Sequence, residues 1–245
     1  MAVLEFLEKP GQDGRALGAL DATAGNAVLY APQYATGGGY QWTLSVTNLE
    51  SVPASVSFQF FNDEGNPKGT ARVMPIAAKG KILISDGAFF GDFGPSLSQG
   101  YVEIRSSGPL LAGSVGYSGT AGHNFSTEIP LVSGFERRLV LGHLASNADF
   151  YTGIAAVNPS LYAANVRIEV FDHLGQAQVS GDFAIPPRGR ISSTLTSLFP
   201  SLAGRDLTGG YVQLTADRGI ASCGVFGAYD LTVLSALPAQ VRLVR

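Results

Sequence analysis

Apolar and polar residues alternate along most of the chain, and residues 54–61 show this most clearly. Val56, Phe58 and Phe60 fall on one side of an extended backbone, and small polar residues fall on the other. Such alternation is typical of an antiparallel strand that is buried on one face. Gly65 follows in a segment rich in Asn and Asp, which predicts a hairpin turn directly after the strand.

The same pattern occurs twice in the chain. Residues from about 29 to 130 recur as residues from about 139 to 238, at a nearly constant offset. A repeat of about 100 residues is a duplicated domain, because arrays of smaller units have periods of about 20–50 residues. The matching pairs include Leu29 and Leu139, Asn48 and Asn158, Phe61 and Phe171, Gly65 and Gly175, and Tyr101 and Tyr211.

The second copy keeps the alternation of residues 54–61 but changes the side chains. Val166, Ile168 and Val170 take the inward positions there, and charged residues such as Arg167 take the outward ones. A buried sheet face requires the pattern to be kept while the side chains vary. With about seven or eight short strands per copy, the pattern predicts an all-β fold of two tandem immunoglobulin-like antiparallel β-sandwich domains related by internal duplication.

The repeat also sets the predicted domain boundaries. Domain 1 spans residues 28–132 and domain 2 spans residues 133–245. Residues 1–27, which are rich in Gly, Ala and Asp, are expected to form an N-terminal arm or linker, an extra edge strand, or a strand donated to a neighbouring molecule. Residues 241–245 resemble residues 137–141, where the second copy begins. This resemblance indicates a longer array or end-to-end stacking.

Charged residues are scarce, at 14% of the 245-residue chain, and the formal net charge is −3. We expect no nucleic-acid partner, because phosphate binding needs clustered Lys and Arg, and no run occurs beyond Arg137 and Arg138. Membrane insertion is not expected either, since no window offers about 20 continuous apolar residues. Glu5 and Glu8 interrupt the apolar start, so we expect no signal peptide in this chain.

Candidate metal ligands are few and scattered. His123, His143 and His173 lack the close spacing of zinc sites, and we interpret them as surface or turn residues. The acidic turn at residues 63–66 lacks the alternating oxygen ligands of a calcium loop, so a plain hairpin turn explains it. Cys223, the single cysteine, lies in an apolar stretch and is expected to be a buried thiol rather than a nucleophile. We predict no metal and no cofactor.

No catalytic motif stands out in the sequence. Residues 116–120 resemble a nucleophile elbow, but Thr120 stands where that motif needs Gly. The glycines at 37–39 are followed neither by a helix start nor by the Lys of a phosphate loop. No pair of carboxylates and no set of Ser, His and Asp recurs in both copies. We therefore predict that the chain is not an enzyme and has no catalytic residues, with a site between the domains as the remaining catalytic alternative.

Aromatic residues around the glycines at 37–39 are the better functional candidates. Tyr30, Tyr34, Tyr40 and Trp42 cluster there in the sequence. Exposed rings on a β-sandwich can stack on sugars or dock a protein. The other interpretation is that these rings fill the end of the sandwich core, and we favour it because the second copy has Phe at the position of Tyr40.

Residues in both copies resemble a known family of repeats. In the first copy they are residues 32–40, Leu44, Asn48, Phe61, Gly65, 100–104 and 109–110. In the second copy they are residues 155–159, 171–172, Gly175, 186–189 and 210–212. Together they resemble a repeated domain of uncharacterised bacterial secreted and cell-surface proteins. The resemblance covers most of the chain after residue 28 and implies an extracellular β-sandwich, often in tandem, with no catalytic residues.

These observations together predict a non-catalytic extracellular module. We expect a structural or adhesive β-sandwich protein, of which a self-assembling surface or filament subunit is one form. The expected partners are therefore other protein subunits, in a homo-oligomer or filament, or surface glycans. The alternative function is a carbohydrate-binding module that uses the aromatic residues of the first domain, Trp42 above all.

Overall fold

The computed structural model describes residues 4–9, 12–18, 25–38, 40–119 and 125–241. Most of the described residues lie in antiparallel β-strands, so the prediction of an all-β protein with β-sandwich character is confirmed. The chain divides into two compact units. Unit 1 comprises Met1–Asn62 and Asn66–Ser133, and unit 2 comprises Asp63–Gly65 and Gly134–Arg245. Some residues discussed above lie outside the described ranges, namely Gly39, Thr120, His123 and residues 242–245.

Unit 1 begins with a short antiparallel hairpin and continues as two four-stranded antiparallel sheets. One sheet has the order β3-β8-β5-β6 and the other has the order β10-β9-β4-β7. The hairpin pairs β1 with β2. The strands are β1 (Leu4–Lys9), β2 (Gln12–Gly18), β3 (Val28–Thr36), β4 (Tyr40–Asn48), β5 (Ala54–Phe61), β6 (Pro67–Ile76), β7 (Lys81–Ile84), β8 (Ser98–Ser106), β9 (Leu111–Gly119) and β10 (Ser126–Pro130).

The alternating side chains of unit 1 fill its core, as the sequence pattern predicts. Val56, Phe58 and Phe60 are completely buried on β5, while Ser55 on the same strand is exposed. Apolar side chains from both sheets supply the rest of the core, because each sheet buries one face against the other. The further buried residues include Leu44, Val46, Ile76, Ile104, Leu111, Val115 and Ile129.

Unit 2 has one long strand that belongs to two sheets. The first part of β16 pairs with β11 and β13, and its second part pairs with β12 and β17. The strands are β11 (Glu136–Leu141), β12 (Phe150–Val157), β13 (Ala164–Phe171), β14 (Ala177–Ile185), β15 (Arg190–Thr194), β16 (Tyr211–Ala228), β17 (Leu234–Pro238) and β18 (Gln240–Val241). A helical turn, α1 (Leu195–Leu198), and a 3-10 turn (Pro200–Leu202) separate β15 from β16.

The core of unit 2 lies between these two groups of strands. Val166, Ile168 and Val170 on β13 are completely buried, as the sequence pattern predicts. They pack with Ile154 of β12 and Leu214 of β16 in one apolar cluster. The connection after β15 adds Leu195, Phe199, Leu202 and Leu207 to the same cluster.

The two units have the same strand order. In unit 1, β3, β8, β5 and β6 are neighbours in that order, and in unit 2 the order is β11, β16, β13 and β14. The second sheet of each unit agrees as well, since β4 lies between β7 and β9, and β12 lies between β15 and the second part of β16. One difference is that β8 and β9 are separate strands, whereas their counterparts in unit 2 are continuous as β16.

A buried asparagine anchors the same loop in each unit. The Asn48 Nδ2 atom donates to the carbonyl oxygens of Val52 at 2.7 Å and Ala77 at 3.1 Å. The Asn158 Nδ2 atom lies within hydrogen-bonding distance of the carbonyl oxygens of Tyr162, Ile185 and Pro186, at 2.8, 3.2 and 3.0 Å. Buried carbonyl groups need such donors, so these two Asn residues recur for a structural reason.

The repeated Gly-Tyr-Val motif also has a structural cause. A Cβ atom on Gly100 would lie 1.9 Å from the Phe61 carbonyl oxygen, which no side chain tolerates. The adjacent Tyr101 ring stacks on the Phe61 ring, with centroids 5.0 Å apart. Unit 2 repeats both contacts, because a Cβ on Gly210 would meet the Phe171 carbonyl and Tyr211 stacks on Phe171 at 4.8 Å.

Candidate functional site

The aromatic candidates of unit 1 are mostly core residues. Tyr30, Tyr34 and Trp42 are at most 5% exposed. The Tyr34 ring lies edge-on to the rings of Trp42 at 5.1 Å and Phe60 at 4.7 Å. Stacking on a sugar requires a ring face that solvent can reach, and these three rings lack one. The interpretation as core residues therefore describes them correctly.

Phe90 and Tyr40 make further ring contacts in unit 1. Phe90, from the segment between β7 and β8, is fully buried and packs against Tyr34 and Trp42 at 5.6 and 6.3 Å. Tyr40 is half-buried and packs against Phe125 at 5.6 Å. Burial raises the pKa of Tyr34 above its ordinary range, which matches a hydroxyl that stays protonated inside the protein.

Gly37 and Gly38 form a turn. Gly37 and Gly38 adopt φ angles of 72° and 61°, a region that favours glycine. A Cβ on Gly37 would lie 2.4 Å from the Ser96 carbonyl oxygen, so the turn also passes too close to its neighbour for any side chain. The positive φ angles and the close approach to Ser96 explain why glycine occupies positions 37 and 38, and no bound ligand is needed to explain it.

The candidates for metal binding and nucleophilic chemistry in the described ranges lie on different elements. Cys223 is buried in the middle of β16, and His143 packs edge-on against Phe226 at 5.5 Å. Within the described ranges, no group of three or more His, Cys, Asp and Glu side chains could hold a metal ion. Ser118 lies in β9, paired with β4 and β10, rather than on a strand-to-helix turn.

Asp63 of the acidic turn takes part in an ion pair. Its Oδ1 atom accepts a hydrogen bond from Nε of Arg190, also in unit 2, at 2.8 Å, and the charged Nη2 of Arg190 lies 2.7 Å from the same oxygen. Asn62 closes the turn, since its Oδ1 atom accepts from the Asn66 backbone N–H at 2.8 Å. The turn interpretation thus accounts for the residues that a calcium loop would have used.

Sequence reasoning missed an exposed pair of aromatic rings in unit 2. Tyr151, at the start of β12, and Tyr229, just after β16, have ring centroids 5.5 Å apart and planes inclined at 51°. Tyr229 is 55% exposed and Tyr151 is half-buried. We call these two residues the tyrosine pair. No repeat signal marks it, because Tyr151 corresponds to Gln41 in the first copy.

The backbone around the tyrosine pair is ordered by hydrogen bonds. The Tyr229 N–H donates to the Asp149 carbonyl oxygen at 3.0 Å, which joins the turn before β12 to the turn after β16. In that second turn, Asp230 Oδ1 accepts from the hydroxyl and backbone N–H of Thr232 at 2.6 and 3.0 Å. These two bonds lower the pKa of Asp230, so its carboxylate is ionised at neutral pH.

Among the described residues, no helix is both long enough and apolar enough to span a membrane.

The Tyr30 hydroxyl donates a hydrogen bond to Glu103 at 3.1 Å. Burial, followed by the nearby Glu103 carboxylate, raises the pKa of Tyr30 above its ordinary range. That group therefore acts as a fixed hydrogen-bond donor between β3 and β8.

Comparisons with known proteins give little guidance. Neither a family model nor a curated protein matches the chain. Solved structures that resemble it include Bacteroides uniformis β-glucuronidase 2 bound covalently to cyclophellitol-6-carboxylate aziridine, a B. uniformis β-glucuronidase, and a calcium-binding mutant of β-glucuronidase 2. Each alignment covers 85% of this chain but 25% of the other, at 6–7% identity and a TM-score of 0.19. A TM-score this low carries no conclusion about fold or function.

Proposed function

We propose that the chain is a non-catalytic structural or adhesive module made of two immunoglobulin-like β-sandwich domains that arose by duplication. The observation that carries this proposal is the repetition of scaffold contacts. Asn48 and Asn158 anchor the corresponding loop in each unit, and Gly100 and Gly210 leave room for the carbonyl groups of Phe61 and Phe171. The polar side chains between these positions differ between the two copies. A duplicated scaffold preserves packing and anchors first, whereas a duplicated active site would preserve its reactive groups.

Placement outside the cell, at a bacterial-like cell surface, is part of this proposal. It is supported by the resemblance of both copies to repeats of secreted and cell-surface proteins. Sandwiches with short turns and few charged side chains suit surface display, because rigid strands hold the domain shape without a ligand.

Self-assembly is the form of the structural role that we favour. The edge strand β6 is exposed along most of its length, and Val73 on it is 66% exposed. An exposed edge strand offers unpaired backbone groups to another chain. The hairpin of β1 and β2 is the second candidate, since a terminal hairpin can open and add a strand to a neighbouring molecule.

The first experiment is size-exclusion chromatography with light scattering, followed by negative-stain imaging of early fractions. We expect regular assemblies whose size increases with protein concentration. A chain lacking residues 1–27 should lose them if the hairpin joins neighbouring molecules. Assemblies that survive this deletion would contradict the role of the hairpin, and a monomer at every concentration would contradict self-assembly itself.

Two matched variants locate the contact. Val73→Lys places a charge on the exposed edge strand and should reduce assembly if β6 is used. Leu174→Lys places the same charge at a turn that is 71% exposed, outside the edge strand, and should leave assembly unchanged. An equal loss in both variants would indicate a general effect of charge rather than a contact at β6.

A further inference from the structure

We propose that the tyrosine pair of unit 2 is a binding site for a neutral saccharide, with a pyranose ring stacked on Tyr229. This site is separate from the aromatic residues of unit 1, which are buried. It is also independent of self-assembly, because neither tyrosine belongs to β6 or to the N-terminal hairpin. Binding and assembly can therefore fail separately in experiments.

The geometry of the tyrosine pair suits a pyranose ring. Pyranose rings with mostly equatorial hydroxyls present a face of C–H groups, and exposed aromatic faces attract such apolar surfaces. Tyr229 is 55% exposed, and its ring meets the Tyr151 ring at an angle of 51°. The two inclined rings thus offer one accessible apolar face and a second ring beside it, with phenolic hydroxyl groups at their rims.

The position of Tyr151 is held by its surroundings. A Cβ atom on Gly227 would lie 2.7 Å from the Tyr151 hydroxyl oxygen and 2.8 Å from the ring carbon that bears it. The Tyr151 side chain therefore lies directly against the backbone of β16 at Gly227. A ring that is already held loses little conformational entropy when a ligand binds.

The Asp230 carboxylate, next to Tyr229 in the chain, supplies an acceptor for sugar hydroxyls. Asp230 follows Tyr229 in the chain, and the Asp149 backbone is bonded to the Tyr229 N–H at 3.0 Å. Thr232 donates twice to Asp230 Oδ1, so the second oxygen of that exposed carboxylate can accept from a ligand. The ionised Asp230 carboxylate repels anions, and this selects a neutral saccharide over an acidic one.

Another exposed tyrosine shows why the pair differs from ordinary surface rings. Tyr162 is 67% exposed, but the Arg218 guanidinium lies 5.1 Å from its ring centroid. A cation over the ring occupies the face that a sugar would use. Tyr162 is therefore a matched control, since it has the same side chain and similar exposure without a second aromatic ring.

The test is native affinity electrophoresis of the full chain in gels that contain hydroxyethyl cellulose, galactomannan or arabinoxylan, with alginate as the acidic comparison. We expect at least one neutral polysaccharide to retard the chain. Tyr229→Ala should raise the dissociation constant about tenfold or more, as loss of a central aromatic contact usually does. Tyr229→Phe, which keeps the ring, should stay within about threefold of the native value.

Control variants make each outcome decisive. Tyr162→Ala should bind as the native chain does, and thermal unfolding should show that Tyr229→Ala remains folded, because the side chain is mainly exposed. Absence of retardation in all three neutral polysaccharides would overturn the proposal. Equal retardation of the native chain and Tyr229→Ala, or retardation by alginate alone, would overturn it as well.

Discussion

The corresponding strands β4 and β12 place their aromatic rings on opposite faces of the sheet. On β4, Trp42 points into the core and Gln41 is exposed. On β12, Thr152 takes the inward position and Tyr151 the outward one. Because side chains alternate along a strand, a change at two adjacent positions moves an aromatic ring from the core to the surface without altering the backbone. Unit 1 uses these aromatic residues for packing, whereas unit 2 carries two tyrosine rings at its surface.

The inward positions differ in chemistry as well as in size. The Trp42 Nε1 group is buried without a hydrogen-bond partner among the described residues. The Thr152 hydroxyl instead accepts from the Ala145 N–H and donates to the Ala145 carbonyl oxygen, both at 3.1 Å. Unit 1 thus gains its stability here from ring packing, and unit 2 from a side-chain bridge between strand and loop.

Trp42→Ala should have the largest effect on stability. The substitution removes a buried indole that packs against Tyr34 and Phe90, and we expect a loss of about 4 kcal/mol in the free energy of unfolding. Chemical denaturation followed by circular dichroism measures this change. Tyr229→Ala is the comparison and should cost less than about 0.5 kcal/mol, since most of that ring is exposed. A small effect of Trp42→Ala would mean that the ring does not support the core.

Gly100→Ala and Gly210→Ala test the shared scaffold. Each adds a Cβ atom against a carbonyl oxygen of the neighbouring strand, and we expect a loss of about 3 kcal/mol in each case. Thermal unfolding measures both. Gly87→Ala is the control, because no atom lies within 4 Å of the added Cβ. If one of the two variants behaved like Gly87→Ala, the two units would not share this constraint.

Asn158→Ala should cost about 2 kcal/mol, because the carbonyls of Tyr162, Ile185 and Pro186 would lose their shared donor. Asn48→Ala, where two carbonyls are involved, should cost somewhat less. Equilibrium denaturation measures both variants. The exposed Asn165, which bonds to Asp217, provides the control, and Asn165→Ala should be nearly neutral. A neutral Asn158→Ala would show that water replaces the anchor.

Thr152→Val should have the smallest measurable effect, about 1 kcal/mol. Valine fills the same space but leaves the Ala145 N–H and carbonyl without the hydroxyl. Thermal unfolding detects this loss, and the exposed Thr70 gives a matched control as Thr70→Val. A gain in stability would mean that apolar packing outweighs the hydrogen-bonded bridge at this position.

Much of the architecture could be predicted from local patterns. The alternation around Val56 and Val166 predicts the buried faces of β5 and β13, and the glycines at 65 and 175 do adopt positive φ in the turns that follow. These features depend on neighbours in the sequence, so one sequence suffices to predict them. Burial of the aromatic residues before Asn48 could be favoured but not decided in this way, because either face of a strand can carry a ring.

By itself the amino-acid sequence determined the all-β class, the positions of many turns and the two matching series of residues, since these depend on strand periodicity and on backbone preferences. The tertiary structure alone decided which rings are buried and which are exposed. Tyr151 and Tyr229 are 78 positions apart in the numbering, and only the pairing of β12 with β16 brings them together. Contacts between distant residues arise from packing of the whole domain, and no local pattern encodes them.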